Sequence, residues 1–181
     1  MKKLFVSLLM AGIFISAGAQ RFAYIDSQYI LSRIPEYKSA QDELNQLSIQ
    51  WQKEIEAKYS EIDQLYKAYK ADEVLLTEDM KQKRQSEIEQ KEQAVKDLQK
   101  QRFGVNGDLF KKRQELVKPL QDKIYNAVQD MAEKQNLAVI FDKSSDMTML
   151  YSSPKYDKSD EILKAMGYNA EGTKMKKNKN N

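Results

Sequence analysis

The 181-residue sequence contains no cysteine and no histidine. Those absences remove thiolates, nucleophile–imidazole pairs and the usual zinc ligands. In an oxidising compartment they also leave the chain without disulfides, so packing or self-association must hold it together. Proline and glycine are scarce: between Gln20 and Glu171 only Pro35, Pro119, Pro154, Gly104, Gly107 and Gly167 punctuate the chain. No GxxxxGK[ST] or GxGxxG loop is present to cradle a phosphate. Carboxylate neighbours such as Asp42/Glu43 and Glu54/Glu56 fall in helical, charge-rich surroundings and read as solvated surface charge. The sequence therefore predicts a protein that is not an enzyme and uses no cofactor or metal.

Long apolar runs are also missing, with one exception at the start. Met1-Lys2-Lys3 is followed by an apolar stretch from Leu4 to Ile15, broken only by Ser7 and Gly12, and then by Ala17-Gly18-Ala19. The run is well short of the roughly 20 residues a membrane span requires. A basic start, a short apolar core and an A-x-A site predict a signal peptide over 1–19, cleaved after Ala19. No cysteine follows the run to accept a lipid.

The formal charge of +3 is unevenly placed. Lys2 and Lys3 belong to the leader, and Lys174, Lys176, Lys177 and Lys179 to the C-terminal end, so residues 20–171 hold 24 basic and 27 acidic side chains. A nucleic-acid reader carries its basic face on the folded part. This chain does not, and no nucleic-acid partner is expected. Residues 172–181 read as a basic, disordered tail, with weak contact to a membrane surface as a minority reading.

From Glu36 to Lys118 the chain has no proline and is rich in Glu, Lys, Gln, Leu and Ala, the composition of long exposed helices. Ala40, Leu44, Leu47, Trp51, Ile55, Ile62, Leu65 and Tyr69 recur at helical spacing and form one apolar stripe. Ile88, Val95, Leu98, Val105, Leu109 and Leu116 form a second, interrupted by Lys91, Arg102 and Lys112. In an antiparallel hairpin the numbers of facing residues add to a constant. Pairs such as Trp51/Leu98, Leu44/Val105, Ile62/Ile88 and Tyr69/Met80 give 149 or 150. The implied midpoint falls near Leu75, where the pattern breaks, and Thr77-Glu78-Asp79 is a plausible helix start. The expectation is a helical hairpin arm over 36–118 with its tip near 72–77 and a length of about 55 Å. Pro119 should bend the second helix as it leaves the arm, and Gly104 with Gly107 should loosen it above that point.

Both ends of the mature chain, 20–35 and 119–171, read as a small β-containing body. Phe22 to Asp26 and Leu137 to Phe141 are expected strands, the second fully buried, and Met147 to Tyr151 is expected to be a third. Ser159 is expected to cap a short helix closed by Gly167. Three short strands do not make a self-sufficient core, so the body should oligomerise. Phe22, Tyr24, Leu137, Val139, Phe141 and Leu150 are the candidate core of that assembly. The fold class is mainly α with a small β base. At the tip, Val74-Leu75-Leu76 cannot all face a two-helix seam, which makes them candidate contact residues. Tyr66 and Tyr69 are added to them as amphipathic side chains partly off the seam.

The order of these segments resembles the Skp/OmpH family of periplasmic chaperones. The likeness rests on Phe22-Ala-Tyr-Ile-Asp-Ser27 after a leader, a charged helical hairpin, Lys118-Pro-Leu-Gln-Asp-Lys-Ile124, and Leu137-Ala-Val-Ile-Phe-Asp142. It continues through Met149-Leu-Tyr151 and Asp157-Lys-Ser-Asp-Glu-Ile-Leu163. The resemblance implies a periplasmic homotrimer with a barrel-like β base. Three arms would enclose a cavity that holds unfolded outer-membrane proteins without ATP. The best-known members are strongly basic, whereas residues 36–118 here hold 16 basic and 17 acidic side chains. Electrostatic steering is therefore not carried over. The alternative is a structural coiled-coil spacer or adaptor of the cell envelope.

Overall fold

A computed structural model describes residues 21–145 and 148–175. The leader, Asp146, Met147 and the tail beyond Met175 lie outside the described residues, so the cleavage site and most of the basic tail do too. The described residues are mostly helical and carry one two-stranded sheet. It divides into two compact units, Leu31–Lys123 and the remainder.

The first unit is dominated by helices. Helix α1, Ser27–Arg33, crosses into it from β1, Phe22–Ile25. Ile34 is extended and Pro35 stands at the first position of α2, Pro35–Asp72, where a missing N–H costs nothing. Glu36 in the first turn and Lys70 in the last complement the helix dipole. A single 3₁₀ turn, Glu73–Leu75, extends α2, and the chain then reverses. Thr77 caps α3, Glu78–Phe103, its hydroxyl oxygen accepting from the Met80 N–H at 3.4 Å. Ile55, Ile62 and Tyr69 of α2 pack with Ile88 and Val95 of α3, flanked by Leu65, Leu76 and Leu98.

The register of this hairpin differs from the expected one. Touching pairs such as Trp51–Phe103, Glu61–Lys91, Tyr69–Gln85 and Asp72–Arg84 have numbers that add to between 152 and 156. The 3₁₀ turn prolongs α2 by most of a turn, so the chain reverses nearer Thr77 than Leu75. Two expected seam residues are displaced: Met80 is 45% exposed, and Val105, matched in sequence with Leu44, is 97% exposed.

Val105 is exposed because the second helix is two helices. Gly104 is extended, Asn106 adopts a left-handed conformation (φ 60°), and α4, Asp108–Gln135, begins anew. The discontinuity stands at the glycines, and α4 continues through Pro119. A side chain at Gly104 would place its Cβ 2.3 Å from the Lys100 carbonyl oxygen, and one at Gly107 would lie 2.7 Å from that of Gln101. Only glycine fits this reversal.

In the second unit, α4 ends at Asn136, left-handed at φ 50°, with the Leu137 N–H donating to the Ala132 carbonyl. The next strand, β2 (Val139–Asp142), pairs in parallel with β1, Phe22 opposite Val139 and Ile25 opposite Asp142. Tyr24 also bridges to Asp157, so the other edge of β1 is covered by the later chain. Helix α5, Ser159–Ala165, buries Ile162 and Leu163 and closes at Gly167 (φ 91°). There the Tyr168 N–H reaches the Leu163 carbonyl and the Gly167 N–H that of Lys164.

Three expectations for this unit are corrected. Residues 148–153 form no strand, so the expected Met147–Tyr151 strand is absent over its described part. Strand β2 is not buried: it is an edge of a two-stranded sheet, and Val139 is 47% exposed. Ser159 lies inside α5 rather than capping it; its N–H and hydroxyl both donate to Asp157, and its oxygen accepts from the Asp26 N–H at 2.9 Å.

Candidate functional site

Three surfaces stand out: the hairpin tip, the middle of the arm, and the sheet with the segment after it. At the tip, Val74 and Leu75 occupy the 3₁₀ turn and are 90% and 82% exposed. Leu76 turns inward against the hairpin cluster. The phenol of Tyr69 donates to Glu73 at 3.3 Å and accepts from Gln85 at 2.8 Å, tying both helices beneath the turn. Tyr69 is buried to 3% exposure, which corrects its assignment as a contact residue: it belongs to the hairpin core, while Tyr66 is exposed.

The acidic residues around the tip are internally matched. Asp72 meets Arg84, Glu73 meets Lys70, Glu78 meets Lys81 and Asp79 meets Lys83. The hydrogen bond from Lys70 holds the Glu73 carboxyl below its ordinary pKa, and Glu73 in turn raises Lys70. Farther down the arm the Glu61–Lys91 hydrogen bond acts the same way on its two partners. The tip therefore offers an apolar pair inside a collar of matched ion pairs.

At the joint between α3 and α4, Arg102 connects three elements. It reaches Asp108 at 2.7 Å and Glu54 at 3.5 Å, and lies over the Trp51 ring, which also meets Phe103 edge-on. Phe103, Val105 and Phe110 leave apolar surface exposed around the joint. Sequence reasoning missed this patch because it placed Val105 on the seam. The pair of nearby glycines was the available signal.

At the sheet, Phe22, Tyr24 and Phe141 line one groove of about 290 Å³ with Met149, Tyr151 and Tyr156, and Phe22 stacks on Tyr156 at 4.8 Å. Of the candidate assembly residues, Tyr24 is buried, Phe22 and Val139 are half-exposed, and Leu137 and Phe141 are partly buried. Leu150 is 96% exposed and lies outside the groove lining. At the end of β2, Asp142 accepts from the N–H groups of Ser27 and Ser144 and from the Ser144 hydroxyl. Burial pushes its pKa up, but the bonds from Ser27 and Ser144 outweigh burial and leave it lowered. Among the described residues no group of three acidic side chains is placed to hold a metal ion. No described helix is long and apolar enough to cross a membrane.

A family profile described as outer membrane protein, OmpH-like, matches residues 21–166, from the residue before β1 to the residue after α5. The chain belongs to this family. An uncharacterised protein of Aquifex aeolicus is 32% identical over 167 residues, 92% of this chain and 96% of its own. A crystal structure from Caulobacter crescentus, of a protein described provisionally as an OmpH-like outer membrane chaperone, aligns with a TM-score of 0.66. That alignment covers 83% of this chain and 86% of the other. At 14% identity it is a likeness of fold. The family match takes in both strands and every helix from α1 to α5.

Proposed function

We propose that this OmpH-like protein is an ATP-independent periplasmic holdase, which binds unfolded outer-membrane proteins and prevents their aggregation. Family membership supports a chaperone-type role, as does the likeness of fold to a protein described as an outer membrane chaperone. The observation that carries the reading is the tip, where two adjacent apolar side chains, Val74 and Leu75, project from a turn anchored by Leu76 and Tyr69. Burying such a side chain against a client contributes about 1.5–3 kcal/mol at most. Several weak contacts of that size retain a chain yet let it leave, and linking arms multiplies them. Transmembrane β-strands, which alternate apolar and polar residues and aggregate in water, are suitable clients.

In this reading three copies associate through the sheet region, using Phe22, Tyr24, Leu137, Val139, Phe141 and Leu150, to form a shared barrel-like base. Their hairpins, residues 36–118, surround the client, with 20–35 and 119–171 as the assembly body. The leader is removed after Ala19, and no catalytic step, cofactor or nucleic acid is involved.

The test is turbidity of a β-barrel protein diluted from urea into increasing amounts of the mature chain. Suppression should need no nucleotide or metal and should survive moderate salt, since the tip charges are matched among themselves. If a stoichiometric excess leaves the client to aggregate, the holdase reading is lost and the envelope-spacer alternative replaces it.

A further inference from the structure

The two flanks of the hairpin seam differ in chemistry. On one side, Glu54, Lys58 and Glu61 of α2 face Lys91 and Asp97 of α3 along a groove of about 600 Å³ whose lining also includes Ile62, Ala94, Val95 and Leu98. The Glu61–Lys91 ion pair spans it at 2.7 Å. On the other side a groove of about 360 Å³ is lined by Gln52, Ile55, Glu56, Tyr59, Gln99 and Phe103, with a single charged group among them. Helical periodicity puts Gln52, Tyr59 and Tyr66 on one face of α2, seven residues apart. Tyr59, Tyr66 and Phe103 are 41%, 51% and 38% exposed, so the aromatic surface continues from the joint toward the tip.

We propose that this aromatic and amide flank is where the arm holds an extended segment of an unfolded transmembrane β-strand, while the charged flank faces solvent. The proposal rests on the holdase reading and names the contact surface within it. The lining chemistry selects the occupant. Ile55, Tyr59 and Phe103 offer an apolar and aromatic floor for the apolar or aromatic residues that alternate along such a strand. Gln52 and Gln99 are exposed, and neither amide is bonded to another described residue. Each supplies both a donor and an acceptor, which suits the unpaired N–H and C=O groups of an extended backbone. The lipid-facing side of such a strand carries few charges, so the groove with one charged side chain suits it better than the groove with five. The floor is held in place because Phe103 is clamped edge-on by Trp51, which Arg102 covers.

The experiment places a benzophenone photocrosslinker at Gln99 or at Asp97, both exposed on the same stretch of α3, in the full mature chain. Each variant is mixed with a urea-diluted β-barrel protein, and turbidity is read in the same samples. Client adducts should form at Gln99 in about tenfold excess over Asp97, as expected where contact is confined to one face of a helix. Separately, Tyr59→Ser should weaken client retention about threefold or more, with other arm contacts sharing the rest, and leave helicity unchanged. Equal or greater adducts at Asp97, adducts at neither position, adducts only between copies of this chain, or unchanged retention by Tyr59→Ser would each overturn the assignment. Failure of the unsubstituted chain to suppress turbidity would instead count against the holdase reading.

Discussion

The guanidinium of Arg102 lies 4.9 Å from the centre of the Trp51 ring while its terminal nitrogens reach Asp108 at 2.7 Å and Glu54 at 3.5 Å. One side chain thereby ties α2 to both halves of the broken second helix. Its Nε is buried with no partner among the described residues, a desolvation cost accepted for the fork geometry of the other two nitrogens.

Arg102→Gln should therefore destabilise the chain by about 1–2 kcal/mol, combining the loss of a partly exposed ion-pair network with the loss of a cation–π contact. Trp51 is the sole tryptophan, so urea unfolding followed by its fluorescence reads this site directly. Arg102→Lys should recover only part of the loss, because an ammonium cannot bridge two carboxylates in a planar fork.

Gly104→Ala should cost about 1–3 kcal/mol, since the added carbon meets a backbone carbonyl at 2.3 Å that cannot move without distorting the last turn of α3. A thermal melt followed by circular dichroism measures the loss. An unchanged melting temperature would show that the joint relaxes freely.

At the tip, Val74→Ser with Leu75→Ser should change stability by no more than about 0.5 kcal/mol, because both side chains already face water. Leu76→Ser should cost about 1–2 kcal/mol, since it removes an apolar group packed on the hairpin cluster. Chemical denaturation of the two variants in parallel separates the displayed residues from the anchoring one.

The Asp142 carboxyl titrates below its ordinary value in the folded chain. Its contribution to stability is complete above the ordinary aspartate range and disappears as pH falls through the lowered value. Asp142→Asn should cost about 1 kcal/mol at neutral pH, from the loss of charge-assisted bonds. Melting temperatures across an acid series should show the variant and the unsubstituted chain converging in strong acid.

The proposed assembly through the sheet would make stability depend on concentration. The unsubstituted chain should melt higher as it is concentrated, and sedimentation should show a trimer. Val139→Asp, at a half-exposed edge position, should abolish both behaviours while leaving the separate chain folded. A concentration-independent melt of the unsubstituted chain would remove the case for the shared base.

Much of the helical architecture was legible because helix signals are local. The apolar stripe of α2, the cap at Thr77 and the closure at Gly167 all depend on residues within one or two turns of each other. The register was less legible. Pairing Ile62 with Ile88 assumed a symmetric turn, and the 3₁₀ residues Glu73–Leu75 shift it by a few positions. The break after Phe103 left a sequence mark in Gly104 and Gly107, but tolerance and a sharp reversal look alike until the backbone shows the carbonyl contacts. Strands were harder still. Met149-Leu-Tyr151 has strand-forming residues, yet strand pairing is decided by distant partners, and Tyr24 bridges to Asp157 instead.

Tyr69 and Tyr66 show why contact residues were the least legible. They differ by three positions, yet one is buried under the turn and the other is half-exposed. A stripe read without its register does not separate them. The aromatic groove was invisible for the same reason, since its floor joins Tyr59 to Phe103 across the seam.

The parallel pairing of Phe22 with Val139 has a consequence for how the chain matures. The sheet cannot begin to form until the chain has emerged as far as β2, because its first strand must wait for one made more than a hundred residues later. The hairpin needs only neighbours around its own turn and can close much earlier, since short loops cost less entropy and form faster. During synthesis the arm can therefore be complete while β1 still lacks its partner, and closure of the sheet waits for β2. A stall or truncation before Val139 would leave a finished arm attached to an unpaired strand.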